Sequence, residues 1–407
     1  MTLVNTCDDE LTAVAEPEPA QTADRPWRRS ARVALISWIA ATVTYAIITV
    51  YAWRASTAPT PDLHHVFGMW KWNDVNFYVE IAEYGYGRNA DTPAFYPLYP
   101  MLIWTVDKLT PGDLLVAGAV TSSICAYLCM LLLHRFVDME FGAKVASRTV
   151  IYFAAFPMAF FLYNAYNESL FILLSIGALY ACRRGHWWLA GSLAGLAGAT
   201  RLFGLLLGVP LAYEYLRQIG WRPRRIRWNA LSLLLVPVGL AAYAVYCQVA
   251  MGNWRAFVDA QSTWKRAYGF PGQSLLEAIW LVIRQGPRSG EFIPNEYYLI
   301  TLFEAAVVLG ALILLVLGFV GPWKLRRDQY FLLVATAVPL LLVSMTMVGD
   351  QRWLQSAPRY AMEWVVAFIV LARIGGNAFV DRIYLMLGFS LQTLMLVTLV
   401  LQAHWVA

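Results

Sequence analysis

One acid, Asp74, lies in a run of aromatic and amide side chains, Trp70-Lys71-Trp72-Asn73-Asp74-Val75-Asn76-Phe77-Tyr78. A carboxylate partly shielded from water by aromatic neighbours has a tunable pKa and can act as a base. Trp72 and Tyr78 offer apolar ring faces on which sugar C–H faces stack, and Asn73 adds an amide. The plainer reading is a loop acid in the aromatic belt of a membrane interface. Two guanidiniums are candidates to face an anion. Arg201 separates two apolar runs, LAGLAGAT and LFGLLLGV. Arginine at a membrane centre costs roughly 2.5–3.5 kcal/mol on insertion scales, so such a residue tends to be functional. Facing a cavity it would grip a phosphate in bidentate fashion; otherwise it snorkels from a helix end. Arg359 and Tyr360 open a later apolar run just after Pro358, with Asp350 and Arg352 nearby. Glu363 stands at i+4 from Arg359, where a structural ion pair would form. Asn167-Glu168-Ser169 precede another apolar run, with Asn167 suited to cap a helix and Glu168 to complement its dipole. His64 and His65 are adjacent and would not face one way on a helix. The stretch around Asp74 has no DxD-type pair, only the distant Asp91, so neither a metal nor another cofactor is expected.

These residues must be held by a membrane scaffold. The chain has 407 residues, of which 59% are hydrophobic and 14% charged, with a mean hydropathy of +0.52. A soluble domain carries about 25% charged residues. The deficit, together with continuous apolar runs of membrane length, predicts an all-α polytopic membrane protein rather than a barrel. A net charge of +5 does not point to nucleic acid, because the cations sit in short clusters between apolar runs. The five cysteines form no CxxC and no ligand-like cluster, which excludes a disulfide framework and a structural zinc.

The pattern predicts a disordered cytoplasmic tail over 1–32, with no cleavable signal peptide, followed by one transmembrane domain over 33–403. About eleven spans are expected. They run over 33–53, 112–135, 149–165, 168–183, a pair of short helices within 186–217, 229–250, 299–320, 329–348, 359–373 and 383–403; residues 94–108 are read as a re-entrant or interfacial piece. Arg25, Arg28, Arg29 and Arg32 place the N-terminus inside, and the strongest basic loop, Arg217–Arg227, falls on the same side. The large loops 54–111 and 251–298 are then outside, with Asp74, Arg201 and Arg359. Residues 76–84 are expected to form a short interfacial helix with Phe77, Ile81 and Tyr84 on one face and Glu80 and Glu83 on another.

The segment Asp74–Tyr86, DVNFYVEIAEYGY, resembles the WD-x-x-W/F-Y-x-x-I-A-x-x-GY signature of the PIG-V-like mannosyltransferases, relatives of GPI mannosyltransferase 2. It is followed by Phe95-Tyr96-Pro97-Leu98-Tyr99-Pro100, Phe156-Pro157 with Phe160-Phe161, Asn167-Glu168-Ser169-Leu170-Phe171, Ala199-Thr200-Arg201 and Arg359-Tyr360, in family order. One position departs from the pattern: the tryptophan that directly precedes the acid is Asn73 here, with Trp72 one residue earlier. The resemblance implies a GT-C-like bundle and an inverting, metal-independent glycosyltransferase. Its donor would be a polyprenyl-phosphate-linked sugar, usually mannose, used on the outer face of the membrane; the expected acceptor is a glycolipid or lipoglycan of the phosphatidylinositol-mannoside kind, and the short loops and Ala/Arg-rich composition point to a bacterial cytoplasmic membrane. Carried over, Asp74 is the base and Arg201 and Arg359 hold the donor phosphate. Trp72, Asn73, Tyr78, Asn167, Glu168 and Tyr360 shape the sugar and lipid site. A transporter or flippase for a lipid-linked sugar is the rival class, but it predicts several mid-span charges and internal repeats. The chain has few mid-span charges besides Glu214, Glu304 and Glu363, and no evident repeat.

Overall fold

A computed structural model describes residues 21–55, 63–109, 112–285, 296–348 and 353–401. The expected positions of Asp350 and Arg352, and the side chains of His64 and His65, lie outside the described parts. The chain is almost wholly helical. Its α-helices, in order, are α1 (Gln21–Ala55), α2 (Leu63–Gly68), α3 (Asp74–Tyr84), α4 (Leu98–Asp107), α5 (Leu114–Phe141), α6 (Ala143–Ala154), α7 (Glu168–Arg183), α8 (Trp187–Gly198), α9 (Gly208–Gln218), α10 (Val238–Met251), α11 (Ala256–Asp259), α12 (Gln273–Gln285), α13 (Glu296–Phe319), α14 (Tyr330–Met345), α15 (Ala357–Tyr360), α16 (Val365–Ile374) and α17 (Ala378–Val400). Two short strands, β1 (Ala267–Tyr268) and β2 (Thr346–Met347), pair antiparallel.

Helix α7 forms the centre of the bundle, packed between α5 and α8, with α1 and α6 against α5. Its fully buried side chains include Ile176 and Ala178. The outer helices carry apolar surface instead. Leu35, Ile36, Ile39, Val43 and Ile47 of α1 are exposed, which suits contact with lipid. Gly239 on α10 and Gly195 on α8 let two helices touch, since a Cβ on Gly239 would stand 1.9 Å from the Gly195 carbonyl oxygen. Small residues at such crossings are the usual means of close packing between membrane helices.

Several expected boundaries are corrected. Helix α1 begins at Gln21, inside the stretch expected to be a disordered tail. The extension has partners: the Ser30 hydroxyl lies 2.8 Å from His134 Nδ1 of α5, and the Trp27 ring packs edge-on to Tyr180 of α7. Among the described residues five helices are long and apolar enough to cross a membrane, and the bent pair Trp228–Leu235 and Val238–Met251 makes six. The remaining predicted spans are shorter or broken. The third ends at Ala154 because Pro157 lacks the N–H that a continuing helix needs, and the chain then winds through a buried 3-10 turn, Ala159–Leu162. The seventh bends by 44° at Pro237. The tenth is interrupted by a 3-10 turn, Ala361–Glu363, before α16. In the first large loop the buried face of α3 is Val75, Tyr78, Val79, Ile81 and Ala82, whereas Tyr84, expected to share it, is exposed.

Candidate active site

The N-terminal end of α7 is where the site is built. Its first residue, Glu168, is fully buried, and its Oε1 accepts from Arg201 Nη2 at 2.5 Å and from Arg359 Nε at 3.1 Å, with Arg359 Nη2 also in contact. Arg359 Nη2 donates onward to Asp74 Oδ2 at 2.8 Å. Arg201 Nη1 donates to Glu363 Oε1 at 2.6 Å. The result is one alternating chain, Asp74–Arg359–Glu168–Arg201–Glu363, drawn from four separate parts of the sequence. Aromatic rings fill the space around the charges: the Arg359 guanidinium lies 4.6 Å from the Phe161 ring centre and 5.2 Å from that of Tyr166. Arg201 lies 5.5 Å from the Tyr360 ring centre. Those faces present negative quadrupole to the cations.

Backbone geometry delivers each member. Asp74 is the first residue of α3 and follows Asn73, whose φ is +37°. Asparagine tolerates that region far better than a bulky side chain, so Asn73 suits this turn where the family pattern has tryptophan. Arg201 sits in the extended link between α8 and the 3-10 turn Leu202–Leu207. The link folds back tightly because Gly204 packs on α8; a Cβ there would stand 2.2 Å from the Gly198 nitrogen. Asn167 does not cap α7 with its side chain. Its Nδ2 instead donates to the Thr200 carbonyl at 3.0 Å, tying the start of α7 to the Arg201 turn, and its Oδ1 has no partner among the described residues. The expected i,i+4 pair of Arg359 with Glu363 gives way to these longer-range bonds, because the chain leaves α-helical geometry after Tyr360.

Only one end of the charged chain is open. The Asp74 side chain is 25% exposed against 4% for Arg359 and 0% for Glu168. Asp74 lies on the wall of a cavity of about 730 Å³, lined also by Asn73, Tyr78, Asn167, Arg201, Arg359 and Tyr360. That volume is in the range of small-molecule sites, roughly 300–1,000 Å³. Two expected members are not on this wall. Glu168 is sealed beneath the arginines, and Trp72 lies outside the cavity, where its carbonyl accepts from Tyr166 Oη at 3.4 Å. The wall carries the rings of Phe95 and of Trp264 from the second large loop in its place. Trp264 meets Phe77 and Phe95 edge-on at 6.2 and 5.9 Å. Asp91, which reads as an ordinary loop residue, is also on the wall, and its Oδ1 accepts from Thr263 Oγ1 at 2.6 Å, joining the two large loops. Burial, and then the nearby charge of Asp74, holds the Tyr78 phenol well above its ordinary pKa, so Tyr78 can donate a hydrogen bond but is no base. Among the described residues no three His, Cys, Asp or Glu side chains are grouped to hold a metal ion.

A second ionic cluster occupies the other end of α7, about 22 Å away at 1.5 Å per residue. Arg183 bonds Glu140, Glu214 and Asp328 at 2.6, 3.4 and 2.6 Å. This cluster gathers residues expected on the inner side, as the cavity gathers those expected outside.

Residues 63–220 match the family model described as Mannosyltransferase (PIG-V). The chain is 30% identical over 148 residues to GPI mannosyltransferase 2 of Yarrowia lipolytica, 36% of this chain and 40% of that protein. It is 30% identical over 149 residues to GPI alpha-1,6-mannosyltransferase 2 of Cricetulus griseus, 34% of this chain and 30% of that one. The matches thus span less than half of either relative. In three dimensions the chain is similar to ArnT of Cupriavidus metallidurans, solved bound to undecaprenyl phosphate, with a TM-score of 0.51 and 14% identity over 82% of this chain and 60% of that one. Over the segment that supplies Asp74, Glu168 and Arg201 the chain resembles the PIG-V mannosyltransferases, and it does so on a fold of the GT-C kind.

Proposed function

We propose that the protein is an inverting mannosyltransferase that takes its sugar from a polyprenyl-phosphate-linked donor. It passes the sugar to a hydroxyl of a glycolipid or lipoglycan, of the phosphatidylinositol-mannoside kind, on the extracytoplasmic face of a cell membrane. Asp74 carries this reading: it is the member of the five-residue ionic chain whose carboxylate reaches the cavity while its partner stays buried. The names of the PIG-V relatives support mannose as the sugar. The undecaprenyl phosphate bound to the ArnT neighbour supports a lipid-linked donor. Arg28, Arg29 and Arg32 support a cytoplasmic N-terminus, which puts the cavity on the opposite face.

In this mechanism the Asp74 carboxylate accepts the proton of an acceptor hydroxyl. The freed oxygen pair attacks the anomeric carbon from the face opposite the phosphate, so the configuration inverts. The bond from anomeric carbon to phosphate oxygen breaks with its electron pair, and lipid phosphate leaves. Arg359, locked by Glu168, fixes the direction of Asp74. Tyr78, Phe95, Trp264 and Tyr360 provide ring faces. Incubating purified protein with polyprenyl-phosphomannose and a membrane lipid extract tests the scheme. Asp74→Asn and Asp74→Ala should lower transfer about 10²- to 10⁴-fold, the usual worth of a general base. Transfer that survives in both variants removes Asp74 as the base. Failure with every polyprenyl-phosphate sugar removes the enzyme class.

A further inference from the structure

The charges around the cavity do not leave both sequence-marked arginines for a ligand. Arg359 is shared by Asp74 and Glu168, and Arg201 by Glu168 and Glu363. Three carboxylates face two guanidiniums, so the chain has no positive charge to spare for a phosphate. The cations on the described cavity wall are Arg201, Arg359 and one other, Arg266. Arg266 is exposed and has no carboxylate partner among the described residues. The wall's other acids, Asp91 and Asp259, form no ion pair with it; they accept from Thr263 and, at 2.8 Å, from Asn253.

Its backbone is held at both sides. Two residues before it, Trp264 is packed on Phe77 and Phe95. Directly after it, Ala267 and Tyr268 pair with Met347 and Thr346, and Gly269 N–H donates to the Met345 carbonyl at 2.8 Å. Ser274 Oγ adds a bond to the Thr346 carbonyl at 2.7 Å. A strand pair thus fastens a guanidinium with no carboxylate partner among the described residues to the end of α14, on the wall of the same cavity that Asp74 opens into. We propose that Arg266 receives the phosphate of the lipid-linked donor, and that Arg201 and Arg359 act on the reaction through Asp74 rather than through the phosphate. When the anomeric C–O bond breaks, the donor's phosphodiester monoanion becomes a phosphomonoester with one more negative charge. A guanidinium without a competing carboxylate binds that species more strongly than the ground state.

The inference rests on the transfer reading above, and the experiment separates the two. Purified full-length protein is assayed with polyprenyl-phosphomannose and acceptor lipid, as wild type, Arg266→Gln and Arg266→Lys. Inhibition by polyprenyl phosphate without sugar is measured beside it. For Arg266→Gln, the donor KM and the inhibition constant of polyprenyl phosphate should both rise on the order of 10- to 100-fold, the worth of one charge-assisted hydrogen bond. Arg266→Lys should recover part of the loss, acceptor KM should stay unchanged, and so should the thermal midpoint. An Arg266→Gln protein with unaltered donor KM and inhibition constant overturns the assignment while leaving transfer intact. A rise in acceptor KM alone also overturns it, by placing the acceptor's phosphate there. Absence of transfer and of polyprenyl phosphate binding in wild type overturns the transfer reading itself.

Discussion

Replacing Glu168 by glutamine should be among the most damaging single changes in the protein, although it alters neither size nor shape. Arg201 and both contacting nitrogens of Arg359 converge on the same oxygen, Oε1. An amide oxygen in that place keeps the hydrogen bonds but removes the charge between two buried cations. Two donors on one acceptor hold their guanidinium charges within about 6 Å of each other. At an effective dielectric of about 20, that separation corresponds to roughly 3 kcal/mol of repulsion. Removal of one partner from a buried ionic group costs about 3–5 kcal/mol in general, which agrees. Set against a total folding stability of about 5–15 kcal/mol, the loss should be visible as a lower yield and a lower midpoint for loss of the monodisperse peak on heating in detergent. Glu363→Gln is the control. It removes the charge that Arg201 Nη1 faces across the 2.6 Å bond but leaves Arg201 its charged contact with Glu168, so its midpoint should fall less. A Glu168→Gln protein as stable as wild type, or more stable than Glu363→Gln, would refute the bridging role.

Other outcomes follow from the same contacts. Arg183→Gln should cost about 1.5–3 kcal/mol of stability, because it weakens the bonds to Glu140, Glu214 and Asp328 while Arg326 stays on Glu140 and Arg217 on Glu214, yet leave donor KM unchanged, because the cluster is at the far end of α7. Gly204→Ala should lower the thermal midpoint by an overpacking cost of about 1–3 kcal/mol, since its Cβ would meet the backbone of Ala197 and Gly198. Trp264→Ala should weaken sugar binding by about 1 kcal/mol, read as a several-fold rise in KM with the midpoint little changed. Asn73→Gly should fold with a midpoint close to wild type, whereas Asn73→Val should be destabilised by about 1–3 kcal/mol, because a β-branched residue resists φ of +37°.

Much of the fold was legible in the chain. Long apolar runs such as 112–135 and 383–403 announce α5 and α17, because hydrocarbon requires backbone groups to bond within one helix. The runs that proved short or broken contain Pro157, Pro237 and Glu363, which end or divide a helix only once the surroundings give the freed backbone a place to go. The acid and the arginines were also legible: Asp74 by its aromatic neighbours, Arg201 by the cost of an arginine between apolar runs, and Arg359 by its place after Pro358. Their pairing was not. Glu363 was readable only as the i+4 neighbour of Arg359, and Glu168 only as a helix-end acid. Trp264 and Arg266 lie in a long mixed loop whose residues follow no period.

By itself, then, the sequence determined that long apolar helices would make a multi-pass membrane protein, and it marked the ionisable groups that stand between apolar runs. Those are consequences of composition, period and solvation, which act on each segment separately. Only the tertiary structure decided that Glu168 would lie beneath two arginines, that Asp74 would be the carboxylate of that chain left open to the cavity, and that β1 and β2 would hold Arg266 above it. Such partners are 33 to 285 residues apart along the chain, and a charge in a low-dielectric interior is matched by whatever packing brings within reach, not by its neighbours in sequence.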